Sequence, residues 1–126
     1  MKALLLLFGV LLIGALSWFL ILRPACRTHF GVALRSLEPV GIAPLLEKPA
    51  DYLKKDIRVE GTINRQCPHC ACWFTIRDAG GRELKVEAGD LAEPVPYRPG
   101  RKAVVEGRLI RYGEGYEFVA DALEFP

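Results

Sequence analysis

Hydrophobic and polar positions along the chain follow different rules in different segments. Residues 3–22 read ALLLLFGVLLIGALSWFLIL, twenty positions without a charge. As a helix at about 1.5 Å per residue they reach about 30 Å, the thickness of a bilayer's hydrocarbon. Trp18 lies near the far end, where an indole suits the interface, and Arg23-Pro24 stops the helix. Residues 24–42 have no strong period and read as a stalk, a linker or an added edge strand. Ala43 to Lys48 follow as a short helix with Pro44 at its first position and Pro49 at its end.

From residue 57 the period becomes two. Ile57, Val59 and Ile63 alternate with Arg58, Glu60 and Asn64 in a first strand. Trp73 to Arg77 give a second, closed by Asp78-Ala79-Gly80-Gly81, and Leu84, Val86 and Ala88 mark a third. Pro94, Pro96 and Pro99 make residues 89–100 a connection. Ala103 to Ile110 form the fourth strand, Gly113-Glu114-Gly115 a turn, and Tyr116 to Phe125 the fifth. Val59-Glu60-Gly61 recurs as Val105-Glu106-Gly107, which predicts a bulge at each glycine where a strand bends round a small barrel. Three strands, a longer connection and two more strands is the order of an OB-fold, with first and fourth strands as neighbours. An SH3-like barrel is the main rival. The expected architecture is all-β: a membrane anchor at 1–23, a stalk at 24–42 and an OB-like barrel at 43–126.

Composition changes the picture once it is divided. The chain is 51% hydrophobic, but residues 1–22 hold 18 of those positions and the rest is ordinary for a soluble domain. Setting aside Lys2 and Arg23, which flank the apolar run, leaves 15 basic against 15 acidic residues. An electroneutral body argues against nucleic-acid binding. The apolar run also passes for a cleaved signal peptide, with Ala15-x-Ser17 as the cleavage site. Cutting there would leave Trp18 to Leu22 as an exposed apolar end, so an uncleaved anchor is expected. A two-residue flank ahead of an early hydrophobic run behaves as a signal anchor and places the body outside the cytoplasm. The expected location is the cell's inner membrane, in a single pass.

The sharpest chemical signal is Cys67-Pro68-His69-Cys70-Ala71-Cys72, between the first and second strands. In OB-folds that loop and the one between strands four and five frame the ligand site. Cys67, Cys70 and Cys72, with His69, are candidate ligands for a soft ion such as zinc or copper. A fourth ligand would come from Cys26, His29, a partner or water. Cys-Pro-His-Cys also occurs in thiol oxidoreductases, but here no helix N-terminus stands ready to stabilise a thiolate. A structural disulfide, Cys67–Cys72 or Cys67–Cys70, is the simplest reading outside the cytoplasm. Trp73, Tyr112 and Tyr116 are candidate members of the same face. No phosphate loop, serine elbow or carboxylate pair is present, so thiol–disulfide exchange is the only activity the residues allow.

The run LLEKPADYLKKDIRVEGTI, then CWFTIRDAGGRELKVE, then RPGRKAVVEGRLIRYGEGYEF resembles bacterial extracytoplasmic OB-fold domains of the nucleic-acid-binding superfamily. More narrowly, Cys67-x4-Cys72-Trp73 followed by Asp78-x-Gly80 is similar to a family of secreted OB-like domains with a Cys…Gly-Cys-Trp signature. Ala71 here replaces that glycine and Cys70 is additional. The resemblance spans about residues 44–125 and implies a Cys67–Cys72 disulfide. The single-anchor layout is also similar to the periplasmic haem chaperone of cytochrome c maturation. That family holds haem through a histidine in its C-terminal tail; the sequence ends at Pro126 without one, and haem is not expected. Together these features predict a non-enzymatic, membrane-tethered accessory module that contacts a membrane-protein partner or ligand through its Cys-rich loop. A metal- or thiol-handling protein is the alternative, and single-stranded nucleic-acid binding the second.

Overall fold

The computed structural model describes residues 1–21 and 28–126, with Leu20 and Ile21 as backbone alone. The expected helix stop at Arg23-Pro24, and Cys26, lie outside the described residues. Helix α1 runs Lys2–Ile21 and is apolar on every side, with its large side chains from Leu4 to Phe19 exposed. It is long and apolar enough to cross a membrane, a test that a signal sequence passes equally.

The strands are β1 (His29–Gly31), β2 (Asp56–Gln66), β3 (Trp73–Arg77), β4 (Glu83–Glu87), β5 (Lys102–Tyr112) and β6 (Gly115–Glu124). Strand β2 serves two neighbours. Its first part, Asp56 to Thr62, pairs antiparallel with β5, and its last part, from Thr62 to Gln66, pairs with β3. Strand β3 pairs antiparallel with β4, and β4 runs parallel to β6 at Val86 and Phe118. Pairing of β6 with β5 closes the barrel. Counting from β2, the order is first, second, third, fifth, fourth and back to first, the topology of an OB-like barrel. As expected, the first and fourth barrel strands are neighbours.

The alternating residues point inward. Ile57, Val59, Ile63, Phe74, Ile76, Leu84, Val86, Val105, Leu109 and Phe118 form the core, all buried. Of the two predicted bulges, one stands where expected. The β5–β6 register shifts between Glu106 and Gly107, and a Cβ on Gly107 would strike the Val119 carbonyl. At Gly61 the ladder is regular; a Cβ there would come within 2.8 Å of the Arg77 carbonyl oxygen. The irregularity in β2 lies further on, between Ile63 and Gln66, where the Arg65 N–H donates to the Thr75 hydroxyl oxygen instead of a carbonyl.

The residues ahead of β2 lie against the barrel. Strand β1 adds to the edge of β6, and Phe30 packs edge-on against Phe125 with ring centroids 6.0 Å apart. Residues 33–39 then cross the outside of β5 and β2, where Pro39 bridges Arg58 and fully buried Glu106 receives the chain. Helix α2 (Ile42–Glu47) buries Ile42 and Leu45, and a 3-10 turn (Pro49–Tyr52) leads into β2. Pro44 sits in the first turn of α2, where a helix needs no N–H from it.

Candidate functional site

The cysteine loop is held rigidly at its base. Gln66, the last residue of β2, is buried, and its amide nitrogen donates to the Pro96 carbonyl at 2.8 Å. Its amide oxygen accepts from the Arg98 N–H at 2.9 Å. This fastens the proline-rich connection beneath the loop. The Cys67 N–H donates to the Trp73 carbonyl at 3.0 Å, and the Ala88 N–H donates to the Cys72 carbonyl at 2.8 Å. Within this frame Ala71 adopts φ 52°. That left-handed conformation is strained for any residue with a Cβ. It turns the chain so that Cys72 comes back toward Cys70.

The three sulfurs converge, each within 4.8 Å of the others. Cys67 Sγ lies 3.2 Å from Cys70 Sγ and 3.9 Å from Cys72 Sγ. The structure joins Cys70 to Cys72 and leaves Cys67 as the thiol, which corrects the Cys67–Cys72 pairing that the family resemblance implied. The physical reason is the turn at Ala71: the Cα atoms of Cys70 and Cys72 are 5.2 Å apart, within the roughly 4.4–6.8 Å that a disulfide spans. Backbone N–H groups, those of Cys70 and His69 foremost, point at Cys67 Sγ and hold its thiol below the usual range, against the opposing effect of burial. With all three reduced, cysteines this close could hold a metal ion. His69 is exposed, and its ring is not among the converging donor atoms.

Of the aromatic candidates only Trp73 borders the loop, while Tyr112 and Tyr116 lie at the β5–β6 turn. Half-buried Trp73 lies under Lys85, whose Nζ is 5.7 Å from its ring centroid. The hydrogen bond that Lys85 donates to Glu87, then the charges of Glu87 and Glu117, keep the Lys85 ammonium above its usual pKa despite burial. Glu117 follows Tyr116, which packs on the core beneath Arg111, while Tyr112 is exposed at the β5–β6 turn.

Two polar centres have little signal in the sequence. On the outer face, Glu83 accepts from the Thr75 hydroxyl at 2.6 Å and the Asn64 amide at 2.8 Å, with Arg65 and Arg77 beside it. Those two bonds, more than the Arg65 charge, bring its carboxyl down to about 2. The other centre is Arg35, which reaches Glu106, Asp56 and Asp121 at once. A carboxylate inside the apolar run Val104-Val105-Glu106 was the one signal available for it.

No family model matches the chain, and no curated protein matches it in sequence. Solved structures do share its fold. The hypothetical protein ygiW from E. coli superposes with a TM-score of 0.56 at 12% identity, over 76% of this chain and 98% of that one. A "putative aspartyl-tRNA synthetase" from Leishmania major Friedlin superposes with a TM-score of 0.59 at 11% identity, over 82% of this chain but only 23% of the other. At such identities the likeness is one of fold.

Proposed function

We propose that this protein is a membrane-tethered binding module. Helix α1 anchors it in the cell membrane, and the OB-like barrel stands on the extracytoplasmic side. The Cys67–Trp73 loop is the element that meets a membrane-protein partner.

One observation carries this reading: the loop and the point of attachment to α1 share one end of the barrel. Thr28 accepts from the Phe125 N–H at 2.7 Å, and the Arg98 guanidinium lies 4.8 Å from the Phe125 ring centroid. The Arg98 N–H in turn donates to Gln66, the residue before Cys67. From Ile21 to Thr28 the chain can reach at most about 25 Å. A barrel held on so short a lead keeps this end beside the bilayer. The body's electroneutrality favours a protein partner over nucleic acid.

Photo-crosslinking in native membranes tests it. A crosslinking residue in place of exposed His69 is expected to capture a membrane protein, and one in place of exposed Tyr112, at the β5–β6 turn, is not. Capture at Tyr112 alone would overturn the reading.

A further inference from the structure

The same loop has a chemistry of its own, which does not depend on the tether. Its three sulfurs are fixed before any ligand arrives, because both ends of the loop are tied to β-structure and Gln66 locks the layer beneath. Cys70 is exposed, while Cys67 and Cys72 are half-buried, so the sulfurs are open on one side to solvent or to a partner. Among the described residues, no imidazole or carboxylate joins them.

That donor set is selective. Hard cations prefer oxygen, and zinc in structural sites takes a closed tetrahedral set of four ligands. Thiolates alone, in a group of three, suit a soft monovalent ion that accepts trigonal coordination. Cys67 is already aimed inward by the Cys70 N–H, 3.5 Å from its sulfur. Only the bond between Cys70 and Cys72 stands between this arrangement and a complete site.

We propose that Cys67, Cys70 and Cys72, once reduced, bind one monovalent copper ion as three thiolates, and that forming the Cys70–Cys72 disulfide releases it. The steps balance. Two reductant thiols give two electrons and two protons to the Cys70–Cys72 bond and leave as their own disulfide. The copper ion then displaces the protons of three thiols. In the reverse direction a disulfide oxidant takes two electrons from the Cys70 and Cys72 thiolates, which join as a disulfide, and departs as two thiols with two protons drawn from water. The ion is left with Cys67 alone and is lost.

The test uses the full chain in detergent micelles, reduced with a thiol-free phosphine under inert gas. Monovalent copper is titrated against a chromophoric chelator. The expected result is one copper per chain, with X-ray absorption showing sulfur neighbours only. Cys67→Ser, Cys70→Ser and Cys72→Ser should each weaken binding by roughly tenfold or more, at least the loss seen when a supporting group of a metal site is removed. His69→Ala should bind as the parent does, and its near-ultraviolet circular dichroism, compared with that of the serine variants, shows whether the barrel is intact. Glutathione disulfide should release the ion from the parent. Copper binding that survives Cys67→Ser in a folded barrel would overturn the inference. So would zinc holding the site against equimolar copper, or a reduced chain that takes up no metal. No partner is present in this titration, so its failure would leave the proposed membrane role standing.

Discussion

Arg35 and Glu106 meet across 71 residues of chain: the Arg35 N–H donates to Glu106 Oε2 at 2.7 Å, and its guanidinium Nε approaches the same oxygen at 3.4 Å. Glu106 is fully buried on β5, a position that burial alone would make unfavourable for a charge. The Leu37 N–H adds a bond to the other carboxylate oxygen, and together these donors keep the group below the usual carboxylate range. The guanidinium also holds Asp56 and Asp121 on either side, at 3.2 and 2.8 Å. One side chain therefore fastens the segment between β1 and α2 onto three strands, β2, β5 and β6.

Arg35→Ala should cost about 2–3 kcal/mol in chemical denaturation, because it strips a buried carboxylate of its counter-charge while leaving two N–H donors in place. Arg35→Lys should recover only part, since an ammonium cannot reach three carboxylates from one fork. A loss no larger than that of an ordinary surface arginine would contradict the role given to Glu106.

Acid should weaken the fold over a defined range. Glu106, Glu83 and Asp56 are all held below their ordinary values, Asp56 chiefly by its bond to Arg108. Each binds its proton more weakly folded than unfolded, so its stabilisation is complete above the unfolded value near about 4. It is lost as pH falls through the folded values, about 2 for Glu83. Denaturation midpoints should drop on acidification from about pH 4.5 towards pH 2, and Glu83→Gln should flatten part of that slope. A midpoint that did not respond to acid would refute this assignment.

The two glycines of the repeated Val-Glu-Gly should not tolerate alanine equally. Gly107→Ala drives a Cβ into the Val119 carbonyl and to 2.9 Å from Ala120 Cα, both backbone, so the β5–β6 ladder must part. Gly61→Ala meets only the Arg77 carbonyl, at 2.8 Å. Gly107→Ala is expected to cost roughly 3 kcal/mol or more and Gly61→Ala distinctly less, read from urea midpoints.

Ala71→Gly should stabilise the loop. A Cβ at φ 52° costs about 1–2 kcal/mol, and glycine gives back about 0.5–1 kcal/mol in chain entropy, for a net gain of about 0.5 kcal/mol. Ala71→Val should do the reverse. Thermal unfolding of the two variants in parallel checks the sign.

What the sequence made legible follows from how local each signal is. Strand β3 occupies Trp73 to Arg77 as the alternation and the following Asp-Ala-Gly-Gly turn require, and the other barrel strands fall within a residue or two of expectation. Residues 28–39 gave no such signal, because what orders them is distant: a three-residue pairing with β6 and the reach of Arg35 to Glu106. The cysteine loop was visible as a cluster, but its connectivity was not. Which sulfurs meet depends on a single left-handed residue, and alanine gives no warning of one. His69 looked like a ligand by proximity in sequence, yet the turn leaves its ring outside.

For the proposed placement of the cysteine loop against the bilayer the chain carries its own reporter, since Trp73 borders the loop and Trp18 is the only other tryptophan. In a Trp18→Phe variant reconstituted into vesicles, headgroup nitroxide lipids should quench Trp73 fluorescence strongly. A tryptophan placed instead at Tyr112, with Trp73→Phe, should be quenched far less. Equal quenching at the two positions, or stronger quenching at 112, would contradict the account.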